Sequence, residues 1–209
     1  MSGGKAPVTI DQIARDTIAL IPALRFEKVN QMGFSLGGFV AQDVTLKAPG
    51  LERKLILTGT GSAGGQGISR VGAASWPLIL EGLLMRRDPI TYLSFTSTAT
   101  GRGAAKAFLS RLQERQSDHG NGPSTRAFLR QLKAITAWGR QAPQDLSSIK
   151  IPVLVANGDN GLMVPTPNSR DLARRISGAE LVIYQDAGHG GIILYHAKFV
   201  AKALTFLSA

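Results

Sequence analysis

Gly33-Phe34-Ser35-Leu36-Gly37 places a serine between two glycines, where a strand-like stretch gives way to a helix-like one. A G-x-S-x-G corner of this kind thrusts the serine Oγ clear of the backbone and leaves the next N–H free to stabilise an oxyanion. The pentapeptide is short and arises by chance in a chain rich in Gly and Ser, so its setting decides its meaning. Two further polar sets follow strand-like stretches: Gly158-Asp159-Asn160-Gly161 and Asp186-Ala187-Gly188-His189-Gly190. In a parallel sheet, function gathers beyond the carboxyl ends of the strands. The order serine, acid, histidine suits nucleophilic catalysis. A serine hydroxyl is a poor nucleophile until an imidazole takes its proton, and an acid fixes that imidazole's tautomer and orientation.

The elements that must position these groups are legible in outline. Ile10, Ile13, Ala14, Thr17, Ile18 and Ile21 recur at helical spacing and predict a helix over Thr9–Leu24, with Thr9 and Gln12 as a capping box. A short strand is expected over Glu27–Met32, a helix over Leu36–Lys47 closed by Pro49-Gly50, and a strand over Lys54–Thr58. From about Ser62 to Gln144 the pattern reads as helices and loops, one helix around Phe108, Leu109 and Leu112 and another around Phe128, Leu132 and Ile135. Gln116–Ser124 reads as a polar loop. Strand–helix alternation resumes with Pro152–Asn157, Ser169–Ile176, Glu180–Tyr184 and a last helix over His196–Leu207. That rhythm implies an α/β fold, a mostly parallel sheet flanked by helices, with the helical middle inserted over one end. The expected organisation is a nucleophile-bearing core (1–61), a helical cap (62–144) and a second core portion (145–209) carrying the acid and histidine loops.

Composition narrows the function classes. With 209 residues and 44% hydrophobic content, the chain can build one sizeable core. It has no cysteine, which excludes disulfides, a thiol nucleophile and thiolate-bound metal. No apolar run matches a membrane span and no basic-then-apolar leader opens the sequence, so a cytoplasmic location is the default expectation. The formal charge of +10 raises nucleic acid as a partner. Between Arg86 and Arg140, however, the basic residues are spaced along helix-like segments without aromatic interleaving, so a solvated face is expected and no nucleic acid or membrane partner. Gly59-Thr60-Gly61-Ser62-Ala63-Gly64 spells a dinucleotide fingerprint after a strand. It needs a helix opening at its third glycine, and Gly65, Gly67, Gly72 and Pro77 argue against one. No cofactor or metal is expected.

Together these stretches resemble the α/β-hydrolase superfamily over nearly the whole chain, especially its small cap-bearing esterases, enol-lactonases and cofactor-free haloperoxidase-like members. The resemblance is carried by Gly33–Gly38, Lys54–Leu57, Ile151–Val155, Val164-Pro165 and Asp186–His189. It implies a serine hydrolase acting on small esters or lactones, with Ser35 as nucleophile, His189 as general base and the Leu36 N–H as one oxyanion donor. The chain departs from the pattern in two places. The family's G-x-x-D-x-x-V-P arrangement puts Gly161 at the acid's position, leaving Asp159 and Asn160 as neighbouring substitutes. Asp159 reads equally well as a residue that ties down loop N–H groups. The sequence also starts inside the fold, so the strands and the second oxyanion donor that precede the serine in family members are expected to be missing. An open sheet edge at Glu27–Met32, and homo-oligomers formed through it, follow as expectations. The competing reading is a catalytically impaired binding module, or a piece that needs a complementary N-terminal fragment. His119 and His196 are expected to be exposed, and Trp76 and Trp138 to serve as cap core or pocket wall.

Overall fold

A computed structural model describes residues 6–86, 88–114 and 124–209. The element order is α1 (Ile10–Ala23), β1 (Val29–Phe34), α2 (Leu36–Lys47), β2 (Glu52–Thr58), α3 (Val71–Leu84), α4 (Ile90–Ser94), α5 (Ala99–Gln113) and α6 (Thr125–Trp138). Then follow β3 (Val153–Gly158), α7 (Pro167–Arg175), β4 (Glu180–Tyr184), α8 (Gly191–Leu194) and α9 (His196–Ser208). The four strands pair in parallel in the order β1-β2-β3-β4. The first strand sits two residues later than its spacing predicts, so Phe34 closes the strand and Ser35 follows immediately. Most of the predicted loop Gln116–Ser124 lies outside the described residues; Ser124 itself caps α6 by accepting from the Ala127 N–H.

Side-chain alternation splits the sheet into two buried faces. Leu55, Leu57, Val153 and Val155 pack against Ala41 of α2 and Leu172 of α7. Ile56, Leu154 and Ala156 pack with Tyr184 and with Phe199 and Phe206 of α9 on the opposite face. A third layer lies outside α2, where Ile10 and Ala14 of α1 and Ala134 and Trp138 of α6 meet Phe39, Val40 and Val44. Helix α2 is therefore enclosed, and everything from Gly38 to Thr45 is buried. Its polar members must bond internally. Gln42 Nε2 donates to the Gly38 and Gly61 carbonyls at 2.8 and 3.1 Å, and Thr45 Oγ1 donates to Ala41 O at 2.8 Å.

Trp138 stacks on Phe39 at 5.7 Å between ring centroids and belongs to this core, whereas Trp76 on α3 is half exposed. Helix α3 runs through Gly72 and Pro77, two residues whose propensities argue against it. It opens at Val71 and not at Gly64, so the glycine-rich stretch before it is a loop, turned by positive φ at Gly59, Gly64 and Gly67. No helix N-terminus meets the third glycine, which removes the structural requirement of a dinucleotide site. Among the described residues, no strand pairs the outer edge of β1.

Candidate active site

Ser35 is the corner between β1 and α2, and its backbone stands at φ 54° and ψ −120°. A non-glycine residue held there costs about 1–3 kcal/mol and persists only where its surroundings over-determine it. Three bonds do so. The Ser35 N–H donates to Thr58 O at 2.9 Å, while its own carbonyl accepts from the Gly38 N–H and from Thr60 Oγ1, each at 2.9 Å. The glycines of the corner differ in role. A Cβ on Gly33 would come within 2.4 Å of the Gly37 carbonyl oxygen, and one on Gly38 within 2.5 Å of the Thr60 side chain. One on Gly37 would meet nothing within 4 Å. Leu36 opens α2, so its N–H has no intrahelical acceptor and points out of the positive end of the helix dipole.

His189 reaches the same end of the sheet from the loop after β4. Its ring lies 4.9 Å from the Phe34 ring, centroid to centroid. Gly59 makes room for it, since a Cβ there would lie 2.9 Å from the Phe34 ring and 3.3 Å from His189 Cε1. His189 is 4% exposed, and Nδ1 is buried without a hydrogen-bond partner. Burial disfavours the imidazolium and lowers the pKa to about 4, so the ring is neutral at neutral pH. Among the described residues, no hydrogen bond joins the Ser35 hydroxyl to the His189 ring.

Among the described residues, no carboxylate is hydrogen-bonded to the His189 ring. Asp159 Oδ1 accepts from the Ala187 N–H at 3.1 Å and from Asn160 Nδ2 at 2.7 Å, so its oxygen holds the backbone of the histidine loop instead of the imidazole. Burial pushes the Asp159 carboxyl up, but the N–H groups of Ala187 and Asp186 and the Asn160 amide outweigh it and keep the group below the ordinary carboxylate range. At Gly161, a Cβ would come within 2.5 Å of Val164 O and 3.7 Å of Asn157 Nδ2. The loop has therefore closed over the acid's position. The Asn157 amide is itself engaged, donating to Ser169 Oγ at 3.0 Å.

A cavity of about 670 Å³ opens between the α3–α5 region and the loops after β3 and β4. Leu78, Met85, Tyr92, Phe95 and Leu162 give it an apolar wall, and Arg102 and Asp186 add charge. Ser35 and His189 do not line it. Among the described residues, no three His, Cys, Asp or Glu side chains gather as a metal site, and no helix is long and apolar enough to cross a membrane. Sequence reasoning assigned no role to Thr60 or to the Thr96 and Thr98 hydroxyls that meet Asp186. Threonines after a strand and before a helix were the available signal, but their partners are distant in the chain.

Known proteins share this architecture. Residues 4–193 match the family model described as serine aminopeptidase, S33. A Caulobacter sp. (strain K31) protein named a carbamate hydrolase, RutD, is 28% identical over 206 residues, covering 97% of this chain and 74% of that protein. A 2-hydroxy-6-oxononadienedioate/2-hydroxy-6-oxononatrienedioate hydrolase of Escherichia coli (strain K12) is also 28% identical, covering 95% of this chain and 68% of its own length. An α/β-hydrolase fold protein from Chitinophaga pinensis superposes with a TM-score of 0.91 at 30% identity, over 99% of this chain and 74% of that one. The strained serine corner, the parallel sheet and these likenesses agree, and the chain belongs to the α/β-hydrolase family of hydrolytic enzymes.

Proposed function

We propose that this hydrolase acts on small carboxylic esters or lactones through a Ser35 acyl-enzyme. The observation that carries the reading is Ser35 itself, a non-glycine residue held at φ 54° by three backbone-directed hydrogen bonds. Ser35 Oγ attacks the carbonyl carbon while neutral His189 takes its proton, and the negative charge develops on the carbonyl oxygen facing the Leu36 N–H. Collapse expels the alkoxide, which receives the proton from His189. Water then repeats the sequence on the acyl-enzyme. Asp159 supports the histidine loop and plays no part in proton transfer. Loss of the acid bonded to the imidazole costs on the order of 10⁴ in turnover in a serine triad, so slow turnover is expected. Labelling by a fluorophosphonate probe tests the reading. Ser35→Ala must abolish labelling and ester hydrolysis together, and undiminished hydrolysis by that variant overturns it.

We also propose that the 209-residue polypeptide associates with copies of itself along β1. Among the described residues the outer edge of that strand has no partner strand, and Met32 on it is 49% exposed. Slow amide exchange along Val29–Phe34 in a concentrated monomer would refute this.

A further inference from the structure

We propose that Asp186, held by Thr96 and Thr98, is a positioning residue that sets His189 from the cap side in place of an acid bonded to the imidazole. The proposal rests on the assignment of His189 as base. Asp186 ends the turn after β4 at φ 50°, a left-handed conformation that Asp tolerates better than most residues. Both of its carboxylate oxygens are used. Thr96 Oγ1 donates to Oδ1 at 3.1 Å and Thr98 Oγ1 donates to Oδ2 at 2.9 Å. Thr98 Oγ1 is also the α5 cap, accepting from the Gly101 N–H at 3.1 Å, and it lies 2.9 Å from Thr96 Oγ1, so the two threonines and Asp186 form one hydrogen-bonded cluster. Gly101 permits the approach, since a Cβ on it would fall 2.2 Å from Thr96 Oγ1.

The same cap segment grips the other side of the histidine. The Gly190 N–H donates to Ser94 O at 2.7 Å. Cβ atoms at Gly188 and Gly190 would lie 2.7 and 3.0 Å from that carbonyl oxygen, so the loop lies flat on the Ser94 backbone. From the sheet side, Asp159 Oδ1 holds the Ala187 N–H and the Asn160 N–H donates to Ala187 O at 2.9 Å. The loop that carries His189 is thus held at Ala187 and Gly190 by residues on both sides, while Nδ1 has no hydrogen-bond partner among the described residues. Asp186 is the only one of these holds that joins a charged side chain to the cap. It also lines the 670 Å³ cavity with Thr96, Thr98 and Arg102, so a substrate filling that cavity bears directly on the device that sets the base.

The test compares Asp186→Ala, Asp186→Asn and Thr96→Val/Thr98→Val with the parent, using fluorophosphonate labelling, ester kinetics and peptide-resolved modification of histidines by diethyl pyrocarbonate. Asp186→Ala and the double valine variant should lower kcat about tenfold or more, as expected for lost hydrogen bonds to a charged group, with KM for a small acetate ester little changed. They should also expose the buried His189 to diethyl pyrocarbonate, while His196 reacts as before. Asp186→Asn offers one acceptor and one donor to two hydroxyls that can play either part, so it should restore most of the rate and the protection. If the parent labels at Ser35 while Asp186→Ala keeps parental kcat and His189 protection, the positioning role is overturned. An Asp186→Asn variant as impaired as Asp186→Ala overturns it as well. A parent that does not label at all refutes instead the serine-hydrolase reading on which this inference stands.

Discussion

Thr60 Oγ1 donates to the Ser35 carbonyl oxygen at 2.9 Å, and this bond ties the strained backbone of the proposed nucleophile to the loop leaving β2. Thr60 is fully buried, so its hydroxyl has no water to turn to. Thr60→Val keeps the shape and removes the donor. Destabilisation by about 1–3 kcal/mol is expected, with slower labelling of Ser35 as the corner relaxes. Chemical denaturation together with probe labelling measures both, and a variant unchanged in both refutes the role.

The glycines of the corner should separate by function. Gly37→Ala should fold and label like the parent, because nothing lies within 4 Å of the added methyl. Gly33→Ala pushes a methyl into the Gly37 carbonyl and Gly38→Ala into Thr60, so each should lose the labelled, folded state. Parental expression and labelling of Gly33→Ala would show that the corner is looser than its geometry implies.

Much of the fold was legible because its signals are local. The 3.6-residue spacing of Ile10, Ala14 and Ile21 marks the buried face of α1, and the alternation around Leu55, Ile56 and Leu57 sets two faces of one sheet. The placement of Ser35 and His189 beyond strand ends was legible because strand ends announce themselves. Helix α3 was not, since Gly72 and Pro77 outweigh its apolar run in propensity while packing tolerates both. The bonds of Asp186 and Thr60 were hidden for another reason. Each joins residues far apart in sequence or across a loop, and no periodicity records such a partner.

Gly161→Asp will not restore an acid to His189 by itself. The first atom of the new side chain meets Val164 O at 2.5 Å, so the loop must shift before any carboxylate can extend toward Nδ1. Ester turnover should stay within about threefold of the parent or fall, and stability should drop by about 1–3 kcal/mol, the usual range for overpacking. A rise in kcat of tenfold or more would mean that the loop opens easily and that the vacancy still fits its acid.

Two buried groups pull the pH dependence of stability in opposite directions. Glu52, at the start of β2, is 3% exposed and bonded to the Thr45 hydroxyl. Burial pushes its carboxyl up to about 7, against the pull of that hydroxyl. The folded state therefore binds a proton more tightly than the unfolded chain does. This contribution is fully present below about pH 4.5 and is lost as pH rises to about 7, a change on the order of 3 kcal/mol. His189 works the other way. Its pKa is lowered to about 4, so its contribution is present above about pH 6.5 and is lost as pH falls toward 4. Between these limits the two slopes offset, and the parent should show nearly flat stability from about pH 4.5 to 6.5. Glu52→Gln keeps a side-chain hydrogen-bond partner for Thr45 Oγ1 and removes one slope. Its stability should then rise with pH over this window, and above about pH 7 it should exceed the parent's. Urea denaturation of parent and variant at a series of pH values reads both effects, and parallel curves would show that Glu52 ionises as freely in the fold as in water.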